Sequence, residues 1–186
     1  CGPTGIGFLW SRKEILEKIP PLFGGGEMIQ DVFEETSTWA ELPHKFEAGT
    51  PAIAEAIGLA EAINYINNIG LNEIHEYEKT ITRYLFEKLN QIENIEIIGP
   101  SPEIDPYRAS LATFYIKNIH SNDIAEILDS KGICIRSGHH CCQPLHRYIG
   151  IKSTARISMN FTTNKEEIDM FIEKLKDTID FLKINS

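Results

Sequence analysis

At 186 residues, with 42% hydrophobic and 24% charged residues, the chain has the length of one large domain or one and a half, and the composition of a soluble globular protein. A formal net charge of −9 argues against nucleic acid or an anionic membrane surface as the main partner, because both reward basic patches. No apolar run approaches the ~18 residues that span a bilayer. The four cysteines, Cys1, Cys134, Cys141 and Cys142, do not make a disulfide framework, since two are adjacent and one is terminal; they point to a reducing compartment.

Read from the N-terminus, Gly5-Ile6-Gly7-Phe8-Leu9-Trp10 has the apolar run of a short strand, and residues 13–19 form a brief helix stopped by Pro20-Pro21. Gly24-Gly25-Gly26 is a loop. Residues 27–51 hold no steady period and include Phe46-Glu47-Ala48-Gly49-Thr50-Pro51, an irregular stretch long enough to signal function. From Ala52 to about Asn68, Ile53, Ile57, Ala60 and Ile63 mark a helix ended by Gly70, and Asn72 is placed to cap the next. That second helix runs to about Ile92. Its apolar residues, including Ile74, Tyr77, Ile81, Leu85 and Leu89, recur at three- and four-residue steps and form a face toward a core.

Strand patterns follow at 95–98 and 110–116, then a helix at 121–131 with Gly132 beyond its end, then a strand at 133–136. Over 154–161, alternation sends Ala155, Ile157, Met159 and Phe161 to one face and Arg156, Ser158 and Asn160 to the other. Asn164 and Glu167 make a capping-box start for a last helix through Ile168, Ile172, Leu175, Ile179 and Leu182. This order predicts an α/β sandwich over residues 52–186, a small sheet covered by helices. Residues 1–51, one strand and several loops, do not close a core and are expected to belong to a larger domain.

The most informative stretch is Gly138-His139-His140-Cys141-Cys142, entered through Arg136-Ser137 and left through Gln143-Pro144. A thiol flanked by two imidazoles and a nearby guanidinium has neighbours that favour thiolate, the nucleophilic form, so Cys141 reads as reactive rather than structural. Zinc is the sharper rival reading. Four consecutive residues do not readily surround one tetrahedral ion, however, and no C-x-x-C or H-x-x-x-H partner exists elsewhere, so no metal is expected. Cys142 reads as packing. Arg156, on the polar face of its strand, has the fork that grips a carboxylate. The Thr50 hydroxyl, with backbone N–H groups and the helix start at about Ala52, suits a phosphate. Gly24 to Gly26 read as a flexible turn, and His120 as a surface histidine.

The wording R-S-G-H-H-C-x-Q-P resembles the catalytic loop of the SufS-like, group II cysteine desulfurases, pyridoxal-phosphate enzymes of the class V aminotransferase family. G-P-T-G-I-G, G-G-G-E-M-I, F-E-A-G-T-P and T-A-R-I-S follow the family order as well, so the resemblance spans essentially the whole chain. It implies that residues 52–186 are the C-terminal small α/β domain of a fold-type I pyridoxal-phosphate enzyme, and residues 1–51 the tail end of its large cofactor-binding domain. The cofactor lysine would then lie two residues before Cys1, upstream of this chain, which alone would be inactive. Cys141 would attack the sulfur of L-cysteine and carry it as a persulfide, releasing alanine. Arg156 would hold the substrate carboxylate. Arg136 would bind substrate beside it, or serve as a local charge that stabilises the thiolate or orients the loop.

The resemblance further implies that Thr50 reaches the pyridoxal phosphate of the opposite subunit of a homodimer. His120 would face a sulfur acceptor of the SufE or SufU type, as in relatives where a histidine there takes a zinc ligand from the acceptor, and the sulfur would supply iron–sulfur cluster assembly. The family usually has another small residue where this chain has Cys142. Selenocysteine lyase activity is one alternative, and a non-catalytic dimerising or partner-binding module another. The expected compartment is the cytoplasm, or an organelle stroma if a targeting segment has been lost.

Overall fold

The computed structural model describes residues 1–184, which form two compact units, Cys1–Gly70 and Leu71 onward. Among the described residues, no helix is long and apolar enough to cross a membrane.

The first unit holds α1 (Lys13–Lys18), an antiparallel hairpin of β1 (Ile29–Val32) and β2 (Ser37–Trp39), a short 3-10 turn at His44–Phe46, and α2 (Ile53–Ile69). The buried Lys45 amine donates to the carbonyls of Leu16 and Glu17 at 3.0 and 3.1 Å, closing the C-terminal end of α1. The expected strand at Gly5–Trp10 is absent. Phe8, Leu9 and Trp10 are 78%, 68% and 81% exposed, and an apolar run without a ladder partner has nothing to make it a strand. The hairpin was not anticipated, because its turn carries Glu34-Glu35 instead of the Asn-Gly or Asp-Gly pair that marks such turns. Met28 is the only buried hydrophobic residue described in this unit.

The sequence reading divides the chain after residue 51, whereas the compact units divide after Gly70, with α2 in the first. Gly58 and Leu59 of α2 lie against Pro3 and Gly2, so close that a β-carbon on Gly58 would sit 3.3 Å from the Pro3 ring. Gly70 turns the chain directly into α3 (Leu71–Leu89), which leaves Asn72 inside the first turn and not at the cap.

The second unit is a two-layer α/β sandwich, as predicted. Its antiparallel sheet runs in the order β3 (Ile95–Ile98), β4 (Leu111–Ile116), β6 (Thr154–Ser158), β5 (Arg136–Gly138). On β4, Ala112, Phe114 and Ile116 are buried while Leu111, Thr113 and Tyr115 are partly exposed, the period of two that a one-sided sheet requires. The buried side packs against α3, α4 (Ser121–Ser130) and α6 (Lys165–Ile184), through Leu85 and Leu89, Ile124 and Leu128, and Ile168, Phe171 and Leu175. The capping box of α6 forms as read: the Asn164 amide donates to Glu167 Oε2 at 2.9 Å, and the Glu167 amide to Asn164 Oδ1 at 2.8 Å.

The strand expected at 133–136 is displaced to 136–138. The Gly132 and Ile133 amides bond back to the Asp129 and Leu128 carbonyls, a Schellman closure of α4 with Gly132 at φ 78°, so these residues finish the helix before any strand can start. A further helix, α5 (Gln143–Ile149), follows the cysteine loop and was not predicted. Seven residues are too few to show a helical period, although Pro144 in its first turn and Gly150 at φ 73° beyond its end are the start and stop signals of such a helix.

At the centre of the core, the Phe114 and Phe171 rings meet with centroids 6.4 Å apart at 56°. Phe114 has no exposed surface, so Phe114→Ala should destabilise the unit by about 3–5 kcal/mol. Urea unfolding checks this. A loss under about 1 kcal/mol would show that the sheet and helices meet elsewhere.

Candidate active site

The sheet face turned away from the helices is built by register. Ile98 lies opposite Thr113, Thr113 opposite Arg156, and Arg156 opposite Arg136, so one row crosses all four strands and ends on two neighbouring arginines. Like charges directly opposed across a strand pair are unfavourable, and an anion held between them removes the penalty. Arg156 Nε is buried and has no hydrogen-bond partner among the described residues.

After β5 the chain turns back sharply. The Cys142 amide donates to the His139 carbonyl at 2.8 Å, and the two residues between, His140 and Cys141, have φ of 52° and 61°. Positive φ at both central positions is the backbone of the tight turns that usually carry Asn and Gly, and side-chain-bearing residues adopt it at a cost of about 1–2 kcal/mol each. Cys141 and Cys142 therefore sit in and just after a tight turn, not along an extended loop. All four cysteines are exposed. What distinguishes Cys141 is its partner: Arg136 Nη2 donates to its Sγ at 3.2 Å, a geometry that stabilises negative charge on sulfur. Cys142 instead uses its backbone, its carbonyl accepting from the amide and ring Nδ1 of His146 at 3.3 and 3.0 Å.

Beneath the turn lies a polar network that the sequence reading missed. Thr154 is 1% exposed and His146 5% exposed. The Thr154 hydroxyl sits 2.9 Å from His140 Nε2 and 3.0 Å from His146 Nε2, with the Gly138 carbonyl at 3.5 Å. Burial, and then the charges of Arg156 and Arg136, hold the His140 imidazole below the ordinary histidine range. Arg136, Ser137, His139, His140, Cys141, Gln143 and Pro144 line one open cleft of about 470 Å³. No signal along the chain marks His146 or Thr154; a histidine inside a short helix became visible only once α5 was placed. Among the described residues, no three His, Cys, Asp or Glu side chains converge as metal ligands.

The remaining predicted residues lie elsewhere. Thr50, in the first unit, is exposed in the turn before α2, and its hydroxyl makes no hydrogen bond among the described residues. Ala52, at the helix N-cap, offers no side-chain cap, so the first-turn amides remain available to an anion. The Gly49 amide donates to the Gly26 carbonyl at 2.9 Å, which ties the glycine loop to this turn. His120 is the N-cap of α4, its Nδ1 accepting from the Asn122 amide at 3.2 Å.

A family model described as aminotransferase class-V matches residues 1–171. A "Probable cysteine desulfurase" of Synechocystis is 52% identical over 181 residues, covering 97% of this chain and 43% of that protein. One of Staphylococcus epidermidis is 48% identical over 180 residues with the same coverage. The chain thus spans less than half the length of these relatives. Among solved structures, a cysteine desulfurase of Thermococcus onnurineus superposes with a TM-score of 0.87 at 37% identity, over 96% of this chain and 44% of that one. The Escherichia coli cysteine desulfurase CsdA gives 0.85 at 28% identity, over 97% and 44%.

The neutral His140 carries a testable pH dependence. Its folded value lies below the unfolded one of ~6.5, so as pH falls through the interval between them the unfolded chain binds more protons at this group and stability is lost. NMR titration should place the His140 midpoint below 6.5. A midpoint above that value would mean that the ring is not buried beside the two arginines.

Proposed function

The chain belongs to the aminotransferase class V family, and on that footing we propose that it is the C-terminal part of a SufS-like cysteine desulfurase. In this reading the two-layer sandwich is the small domain of a fold-type I enzyme. The first unit belongs to its large cofactor-binding domain, which accords with the scarcity of buried apolar residues there. The observation that carries the reading is the Arg136–Cys141 contact on a strained, open turn beside Arg156.

Pyridoxal phosphate is the cofactor of this reading, and when bound it supplies an electron sink for the substrate Cα. The residues present fit its phosphate: Thr50 offers a free hydroxyl next to the uncapped N-terminus of α2. The chain's own residues supply the rest. The Arg156 fork, with Arg136 at its side, holds the carboxylate of L-cysteine and so fixes the substrate sulfur relative to the turn. The Cys141 thiolate, with the Arg136 guanidinium at its sulfur, attacks the substrate sulfur. The Cβ–S bond breaks, its electron pair stays with the carbon skeleton, and this leaves as alanine after taking up a proton. Cys141 retains the sulfur as a persulfide.

The exposed turn then offers the persulfide to an acceptor of the SufE or SufU type for iron–sulfur cluster assembly, with His120 on the acceptor-facing side. A homodimer, in which Thr50 serves the opposite subunit's cofactor, completes the reading.

Mass spectrometry of the loop peptide after one turnover of the intact protein with cysteine tests it. Cys141→Ser should abolish the persulfide, whereas Cys142→Ser should retain most of it. A persulfide on Cys142, or equal loss in both variants, would make the vicinal pair the working unit and sink the assignment.

A further inference from the structure

Two polar atoms at the site are buried without partners, Arg156 Nε and His140 Nδ1. The first can only donate. Whether the second donates or accepts depends on its tautomer, and the network under the turn settles that. The Cys142 carbonyl only accepts, so His146 Nδ1, 3.0 Å away, carries a proton. In neutral His146, Nε2 is then a bare acceptor, and it takes the Thr154 hydroxyl proton at 3.0 Å. The Thr154 oxygen, its proton spent on His146, accepts from His140 Nε2–H at 2.9 Å, which leaves Nδ1 of His140 as a lone pair. The two orphans are therefore complementary, one donor and one acceptor. Thr154, bonded to His140, and Arg156 stand two residues apart on the same face of β6, which brings the two orphans into one neighbourhood.

We infer that Thr154, His140 and His146 are positioning residues for Arg156: when a carboxylate engages the Arg156 Nη pair, its Nε–H donates to His140 Nδ1. This completes a one-way chain from Arg156 through His140, Thr154 and His146 to the Cys142 carbonyl. The inference rests on the carboxylate role proposed for Arg156 and goes beyond it by naming what aims the guanidinium. The chain also joins the arginine to the backbone of the cysteine turn, because the same carbonyl accepts the His146 amide in the first turn of α5. Thr154 is held for this by its register opposite Gly138, on the face opposite the core residue Ala155.

The arrangement has a direction, and a proton reverses it. Protonated His146 donates from both nitrogens; Thr154 must then turn its hydroxyl toward His140 Nε2 or the more distant Gly138 carbonyl. In the first case His140 carries its proton on Nδ1, facing the Nε–H of Arg156, donor against donor. The groups that face the chain are Arg136 from β5, Arg156 from β6, and His139, edge-on to His146 at 5.3 Å; Arg147 and Lys152 line the adjoining cleft with it.

The test uses the intact protein with ¹⁵N-labelled histidine, and L-alanine as a thiol-free carboxylate probe. At neutral pH, long-range ¹H–¹⁵N spectra should show His140 protonated on Nε2 and His146 on Nδ1, without any turnover. Thr154→Val should weaken L-alanine binding about tenfold, the loss of one charge-assisted hydrogen bond, while Thr154→Ser stays within about threefold of the parent. His146→Asn keeps a donor for the Cys142 carbonyl but not the link to Thr154, so it should behave like Thr154→Val and serves if that variant fails to fold. A His140 proton on Nδ1 in the neutral protein would overturn the proposal, as would parent-like alanine binding in both Thr154→Val and His146→Asn. If the parent protein does not bind L-alanine, the carboxylate reading of the proposed function falls, and the tautomers alone decide the chain.

Discussion

The pairing of β5 with β6 is the constraint on which the site depends. It involves only Arg136 with Arg156, Ser137 with Ala155, and Gly138 with Thr154, yet it sets both arginines and the Thr154 hydroxyl. Ala155, with no exposed surface, points into the core and forces Thr154 and Arg156 to the other face. A slip of one residue would exchange the two faces and bury an arginine in the core, so hydrophobic burial on one side of the sheet enforces the electrostatics on the other. The cost of setting two guanidiniums side by side is carried by the many apolar contacts of the helical layer, and it falls when an anion enters.

The turn after β5 adds a second local cost. His140 and Cys141 hold positive φ without being glycine, which opposes folding by about 1–2 kcal/mol each, and single hydrogen bonds return about 1 kcal/mol apiece. The Thr154 hydroxyl, bonded to two imidazoles, and the Cys142 carbonyl, bonded twice by His146, are of the right number and strength to hold such a turn. The same bonds present Cys141 to solvent within reach of Arg136. Structure and reactivity therefore share one set of interactions, and a side chain such as Thr154 serves the site although it lies beneath the cleft surface.

The helical layer was legible in the sequence because long amphipathic helices repeat their signal: the face of α6, its capping box and the Ile81, Leu85 and Leu89 part of the α3 face appear as read, whereas Ile74 lies outside the core and Tyr77 is exposed, its hydroxyl on the Thr163 carbonyl. The alternation of 154–161 likewise separated Arg156 from Ala155 correctly. Short elements carried too little pattern. β5 was set three residues early because Gly132 and Ile133 are consumed in closing α4, and α5 escaped notice at seven residues. The Thr154 network was invisible for a different reason. Thr154 meets His140 across 14 residues and His146 across 8, contacts that no local periodicity reports. The apolar run at Gly5–Trp10 was over-read, since composition shows β-propensity but not the presence of a neighbouring strand.

One thiol, Cys141, is set apart among four that are all exposed to solvent. Limited labelling of the intact protein with substoichiometric iodoacetamide at pH 7, read cysteine by cysteine by mass spectrometry, addresses that claim without cofactor or substrate. Cys141 should be alkylated at least about threefold faster than Cys1, Cys134 or Cys142, an advantage kept modest because a stabilised thiolate is also a weaker nucleophile. Equal rates at all four positions, or a lead for Cys142, would contradict it.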